Sequence, residues 1–175
     1  MEELDYTIIL DTATIHKKVK EVGKRISEDF SQKPPLVLGV LKGSVFFLAD
    51  LMRAVDLPYT LDFIGVSSYK ESTESSGKVE ITFDLSSDFT GKHILIVEDI
   101  IDTGITLDYL TNHIRDRGAE DISVAVLLDK PSRRKVEVNI DYVCFEVKDA
   151  FYVGYGLDYQ GRLRNLPYIA RLNLA

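Results

Sequence analysis

Val97-Glu98-Asp99-Ile100-Ile101-Asp102-Thr103-Gly104-Ile105-Thr106 is the stretch that decides how the chain is read. Before it stands Lys92-His93-Ile94-Leu95-Ile96-Val97, a continuous apolar run of the kind a parallel strand buried on both faces requires. After it, Leu107, Leu110 and Ile114 fall at helical spacing, and Gly118 suits the end of that helix. The stretch is therefore predicted to be a strand end near 98, a short acidic loop and a helix start. In a parallel sheet that place is the carboxyl edge, where ligands bind. Glu98, Asp99 and Asp102 put three carboxylates within five residues. Thr103, Gly104 and Thr106 follow, with backbone N–H groups and hydroxyls suited to an anion at a helix start. One loop carrying both features matches a polyhydroxylated sugar phosphate. The amides take the phosphate, and the carboxylates accept from sugar hydroxyls or hold a divalent ion. The plain alternative is a solvated strand-to-helix turn with Thr103 as N-cap.

The same ten residues resemble the phosphoribosyl-pyrophosphate binding motif of the type I phosphoribosyltransferases. The wording Val-Glu-Asp-Ile-Ile-Asp-Thr-Gly is most similar to that of the hypoxanthine-guanine branch, and the resemblance runs from about residue 36 to 164. It implies transfer of a ribose 5-phosphate unit from phosphoribosyl pyrophosphate to hypoxanthine or guanine, giving the nucleotide and pyrophosphate, with Mg2+. Glu98, Asp99, Asp102, Thr103, Gly104, Ile105 and Thr106 would then bind phosphoribosyl pyrophosphate, and Asp102 would be the catalytic base.

At 175 residues and 45% hydrophobic, the chain is expected to form one domain with a real core. A net charge of −7 argues against non-specific nucleic-acid binding. The single cysteine, Cys144, lies in an apolar run and reads as a buried thiol. No run is apolar and long enough to span a bilayer, and no signal peptide is recognised, so a cytoplasmic protein without a membrane partner is expected.

From the amino terminus, residues 6–10 read as a short strand, and Asp11 or Thr12 caps a helix. Ile15, Val19, Val22, Ile26 and Phe30 mark its apolar face. Its lysines, interleaved with Glu21, Glu28 and Asp29, read as a solvated face. Residues 36–41 form a buried strand that meets Lys42-Gly43-Ser44 and a helix. The resemblance makes Lys42 and Gly43 the pyrophosphate loop, with a non-proline cis peptide often found just before this Lys. Residues 59–69 and 78–84 alternate as a hairpin, joined by the polar segment 70–77. That segment reads as an active-site lid, flanked by Ser68 and Tyr69, which the resemblance assigns to phosphoribosyl-pyrophosphate binding.

Residues 122–128 form another buried strand, ending at Lys130-Pro131. Taken alone, Lys130 pairs with a neighbour such as Asp129 or points into a site; the resemblance makes it a purine contact. Arg133, Arg134 and Lys135 read as surface charge. Residues 141–145 are a further strand. The segment from Phe151 to Arg164 is rich in aromatic residues and glycine. Here the resemblance implies that Phe151 stacks on the purine and that Tyr152, Val153 and Asp158 contact it. Asp158 would also join Glu98 and Asp99 as a metal ligand, and Arg164 would touch pyrophosphate. Ala150 and Ile105 stand where some relatives carry lysine.

The fold expected is α/β, a twisted, mainly parallel five-stranded sheet flanked by helices. Its core would span about 34–148, with a small hood from about 1–10 and 149–175. The partners expected are phosphoribosyl pyrophosphate, a 6-oxopurine and further copies of the chain, as a homodimer or homotetramer. Two rivals remain. A regulatory RNA-binding protein on the same fold would want a basic face, and a receiver module would not need the cradle or the aromatic arm. A P-loop NTPase is excluded, because no G-x-x-x-x-G-K-[ST] occurs.

Overall fold

The computed structural model describes residues 5–68, 79–83 and 88–173. Tyr69 and the segment 70–77 expected as a lid lie outside the described residues. In chain order the elements are β1 (Tyr6–Leu10), α1 (Thr12–Asp29), β2 (Leu36–Leu41), α2 (Val45–Ala54), β3 (Thr60–Ser68) and β4 (Val79–Phe83). Then come β5 (His93–Ile101), α3 (Ile105–Asp116), β6 (Asp121–Asp129), β7 (Tyr142–Glu146), β8 (Tyr152–Val153) and β9 (Ile169–Leu172). A 3-10 turn, Pro131–Arg133, follows β6.

The central strands read as unbroken apolar runs because both of their faces are covered. Side chains alternate between faces. Val37, Leu95, Val97, Ala125 and Leu127 pack into one core with α1 and α2. Leu36, Leu38, Val40, Ile94, Ile96, Val124 and Val126 pack into the other with Leu107, Leu110 and Ile114 of α3. The apolar stripe predicted for α1 is buried throughout, and Asp11 caps that helix by accepting from the Thr14 amide at 2.7 Å. Its basic face is solvated and laced by the pairs Lys24–Glu28 and Arg25–Asp29.

The main sheet has the order β4-β3-β2-β5-β6-β7. The five predicted strands are parallel, and β4 adds a sixth, antiparallel to β3, from the second half of the predicted hairpin. A separate three-stranded sheet, β1-β9-β8, joins the amino-terminal segment to the arm after Phe151, as the hood required.

Two features of this order place the site. The β2–α2–β3 unit leaves β2 towards one edge, and β5–α3–β6 leaves β5 towards the other, although β2 and β5 are neighbours. The strand order therefore reverses between them and opens a crevice at their carboxyl ends. The connections that follow β2 and β5 are the Lys42–Gly43 turn and the 102–104 loop.

Ile96 sits at the middle of the central strand, fully buried and paired between Leu38 and Val124. Ile96→Ala is expected to lower unfolding free energy by about 2–5 kcal/mol, the usual cost of a core cavity. Urea denaturation measures this, with the midpoint falling and the slope unchanged.

Candidate active site

The acidic pair belongs to the strand, not to a loop. The sequence placed the strand end near 98, but β5 continues to Ile101, with Ile100 opposite Leu128 and Ile101 opposite Asp129. Successive strand residues point to opposite faces, so Glu98 and Asp99 diverge. Glu98 lines a small cavity of about 90 Å³ with Asp102, Thr103, Gly104 and Thr106. Asp99 faces the turn after β2, where a Cβ on Gly43 would coincide with its Oδ2 atom. The Gly43 carbonyl in turn lies against Gly156, so close that a Cβ there would overlap it. Two backbone segments and the Asp99 carboxylate meet at this point because both segments carry glycine. The Leu41–Lys42 peptide leading into the turn is cis, a feature no sequence pattern encodes.

Burial dominates the electrostatics. Asp99 is pushed up to about 6, chiefly by desolvation, with the Asp158 charge adding to the rise. The Ile100 amide, at 2.8 Å from Oδ1, and the Arg164 charge oppose it. Glu98 is raised well above the usual carboxylate range by desolvation first and by the Asp99 charge second. Its Oε2 atom is buried without a hydrogen-bond partner. Arg164 donates to the Gly156 carbonyl at 2.6 Å and pairs with Asp158, also at 2.6 Å. Asp158 additionally accepts from the Gly161 amide at 2.6 Å.

At the start of α3 the N-cap is Gly104, not Thr103, with φ 85°. A Cβ on Gly104 would stand 2.6 Å from the Val136 carbonyl. Thr103 lends its hydroxyl to the Ile105 amide at 3.4 Å, and its carbonyl accepts from Lys135 and Val136 at 2.9 and 3.1 Å. The segment after β6 thus clamps the loop after β5. Arg134 tightens the clamp by pairing with the buried Asp129 and reaching the Asp102 carbonyl at 3.3 Å.

Lys130 lies at the carboxyl end of β6 and is 7% exposed. Its Nζ stands 3.8 Å from Asp102 Oδ2 and 3.8 Å from Asp149 Oδ1, and 5.5 Å from the centre of the Tyr152 ring. Arg133 reaches the same two acids, at 3.1 Å to Asp102 Oδ1 and 3.6 Å to Asp149 Oδ2. Lys130 therefore does not pair with Asp129, whose partner is Arg134. The reading as surface charge holds for Arg133 and Lys135, which are exposed, although Arg133 pairs with Asp102; it is corrected for Arg134, which is partly buried and tied to Asp129 and the Asp102 carbonyl. The regular spacing after a proline gave no hint of this, because the pairing depends on where β5 ends.

Gly43, Glu98, Asp99, Asp102, Thr103, Gly104, Lys130, Asp158 and Arg164 converge on this edge of the sheet through the contacts above. Tyr152 and Val153 are buried beside it. Lys42 is exposed, and Ile105 and Thr106 open α3. Phe151 is 38% exposed and meets the Tyr159 ring edge-on at 5.6 Å. Ser68 closes β3. Sequence reasoning missed Asp149 and Gly156. The first carries no local motif, and the second becomes important only through its approach to Gly43.

The phosphoribosyl transferase domain family matches residues 5–160. The chain is 50% identical over 168 residues to the hypoxanthine-guanine phosphoribosyltransferase of Bacillus subtilis strain 168, covering 96% of this chain and 93% of that protein. A crystal structure of a hypoxanthine phosphoribosyltransferase from Staphylococcus aureus superposes with a TM-score of 0.92 at 42% identity, over 97% of this chain and 92% of the other. That of a hypoxanthine-guanine phosphoribosyltransferase from Bacillus anthracis, with a HEPES molecule in its active site, gives 0.91 at 42% identity over 97% and 99%. Strand order, crevice and sequence agree, and the chain belongs to the phosphoribosyl transferase family, in its hypoxanthine-guanine branch.

Proposed function

We propose that this protein transfers the 5-phosphoribosyl group of phosphoribosyl pyrophosphate to hypoxanthine or guanine in purine salvage, forming the nucleotide and pyrophosphate. The observation that carries the reading is the meeting, at one sheet edge, of the Asp102 loop with a buried lysine, Lys130, suited to a carbonyl oxygen. The C1–oxygen bond to pyrophosphate breaks, a purine ring nitrogen bonds to C1, and the proton leaves that base. Residues 103–106 hold the 5-phosphate at the start of α3, with Ile105 and Thr106 supplying amides. Lys42, Gly43 and Arg164 face the pyrophosphate, and Ser68 and Tyr69 are assigned to phosphoribosyl-pyrophosphate binding. Glu98 and Asp99 lie beside the sugar, where negative charge favours an oxocarbenium-like transition state. Asp102 takes the purine proton. Phe151 stacks on the base, and Tyr152, Val153 and Asp158 border its edge. All of these lie in one domain, its core near 34–148 and its hood from 1–10 and 149–175.

The same reading includes Mg2+. Among the described residues no three acidic, histidine or cysteine side chains form a metal cluster. Magnesium is nevertheless suited to one or two carboxylates completed by phosphate oxygens and water. The unpartnered Glu98 Oε2 and the desolvated Asp99, which feels only Arg164 as a positive charge and has no ion-pair partner among the described residues, are acids that a cation would complete. Glu98, Asp99 and Asp158 are the residues that would hold the ion. Bound there, it would neutralise the departing pyrophosphate. A homodimer or homotetramer belongs to the same proposal, with exposed Val45, Phe46, Leu61 and Phe83 as apolar surface for it. So does action in the cytoplasm, which suits the lone free thiol of Cys144.

The direct test is pyrophosphate release from phosphoribosyl pyrophosphate and Mg2+ with hypoxanthine, guanine, xanthine and adenine in turn. The 6-oxopurines are expected to react and adenine to fail, since an ammonium donates and the adenine amino group does not accept it. Turnover of adenine at the hypoxanthine rate would refute the reading.

Asp102→Asn is expected to lower kcat by about 10²–10⁴-fold, with phosphoribosyl-pyrophosphate binding changed far less. Steady-state rates alongside calorimetric binding distinguish the two effects. Near-normal turnover removes Asp102 from the base role.

Asp99 yields a pH prediction. Its folded-state value of about 6 lies above the ordinary 3.8. Between those values the folded protein holds more protons than the unfolded one, so stability falls as pH rises through the window. The penalty is complete above it. Asp99→Asn is therefore expected to stabilise the ligand-free protein at pH 7.5 by on the order of 2–3 kcal/mol, and to lose that advantage near pH 4. Chemical denaturation at both pH values checks this, and an equal effect at both contradicts it.

A further inference from the structure

Asp102, Lys130, Asp149 and Arg133 close a ring of alternating charge. Lys130 Nζ is 3.8 Å from each acid, and Arg133 bridges the same acids from its Nε and Nη1 atoms at 3.1 and 3.6 Å. The two Lys130 contacts are ion pairs but exceed hydrogen-bond length. Its charge is thus balanced while its N–H donors stay uncommitted. Were Asp102 its only counter-ion, the ammonium would be drawn onto that carboxylate, spending a donor and covering the Oδ2 atom. Asp149 pulls from the other side, and Arg133 takes Asp102 by the opposite oxygen, Oδ1. The Tyr152 ring, 5.5 Å away, walls the remaining approach. The backbone fixes the stem, since the Lys130 amide donates to the Ile101 carbonyl at 3.0 Å and its carbonyl accepts from the Arg133 amide at 3.1 Å.

We propose that Asp149 is a positioning residue for base selection, which, together with Arg133, holds the Lys130 ammonium midway between two carboxylates so that its donors meet the 6-oxo group of the purine. This rests on the reading of Lys130 as the group that contacts the base. Asp149 itself touches no reacting atom. Its place in the chain explains the link: it stands at the entry to the arm that carries Phe151, Tyr152 and Val153, so the arm and the lysine are set by one side chain.

The test compares Asp149→Asn, Asp149→Glu, Lys130→Met and the Asp149→Asn/Lys130→Met double variant. KM for hypoxanthine, KM for phosphoribosyl pyrophosphate and the hypoxanthine-to-adenine ratio of kcat/KM are measured for each. Asp149→Asn is expected to raise the hypoxanthine KM about 3- to 10-fold and to lower the selectivity ratio by a similar factor. Its KM for phosphoribosyl pyrophosphate should stay within about 2-fold, and Asp149→Glu should restore most of the loss. In the double variant, loss of Asp149 should add nothing to loss of Lys130. If Lys130→Met shifts selectivity and Asp149→Asn does not, the positioning role is overturned while the reading of Lys130 stands. If Lys130→Met keeps normal selectivity, the reading itself fails. Equal weakening of both substrates by Asp149→Asn would also overturn the proposal, as general structural damage. Arg133→Gln serves as the second variant should Asp149→Asn not fold, with the same base-selective loss expected and the same selectivity as wild type overturning it.

Discussion

The backbone of Gly43 touches the Asp99 carboxylate across the switch point of the sheet, and the rest of the site depends on that approach. It exists because β2 and β5 are parallel neighbours in register, Leu36 beside Ile94 and Gly39 beside Val97. Their helices depart in opposite directions, so the loops above them part and leave room. No side chain fits at residue 43, and none at 156, where the arm returns over the same turn. The two apolar cores fix the strands, and the strands fix the meeting to within an atom's width. Function at this edge is thus inherited from packing far below it.

A chain with a net charge of −7 that handles an anionic sugar phosphate must avoid repelling it. The acids at the site meet that need in different ways. Asp129 is matched by Arg134, Asp102 by Arg133 and Lys130, and Asp158 by Arg164. Glu98 and Asp99 are the pair driven towards protonation by burial. Negative charge at the matched acids is therefore muted before any ligand arrives, whereas Asp99, pushed up to about 6, carries its charge at neutral pH. Asp11 and Asp88, held low by the Thr14 and Thr90 amides, show how carboxylates behave here when exposed amides satisfy them instead.

Where periodicity carries the information, the chain could be read directly. The strands around 36–41, 92–98 and 122–128 are buried on both faces, and α1 keeps its stripe of Ile15, Val19, Val22 and Ile26 inside. The ten residues from Val97 to Thr106 marked the carboxyl edge of the central strand, where β5 gives way to α3. What escaped depends on distant partners. The extension of β5 to Ile101 follows from pairing with β6, and Arg133 and Arg134 look like loop charge until that pairing brings Asp102 to them. Asp149 shares no motif with Lys130, only space. The cap is Gly104 with φ 85°, where the Val136 carbonyl, from a segment some thirty residues later, leaves no room for a side chain.

The small sheet has a bearing on how the protein comes into being. Strand β1 has one neighbour, β9, with Tyr6 opposite Leu172, and β8 reaches β1 only through that same strand. Contacts of such long sequence separation form late and slowly. On a ribosome, β1 emerges before the strands of the main sheet and waits for its partner until residues 169–172 have been made. The parallel core can assemble meanwhile from neighbouring units, yet the arm bearing Tyr152 and Val153 is not pinned until β9 is made. A nascent chain can therefore own a finished core and an unpinned arm, and the small sheet is complete only once β9 has been made.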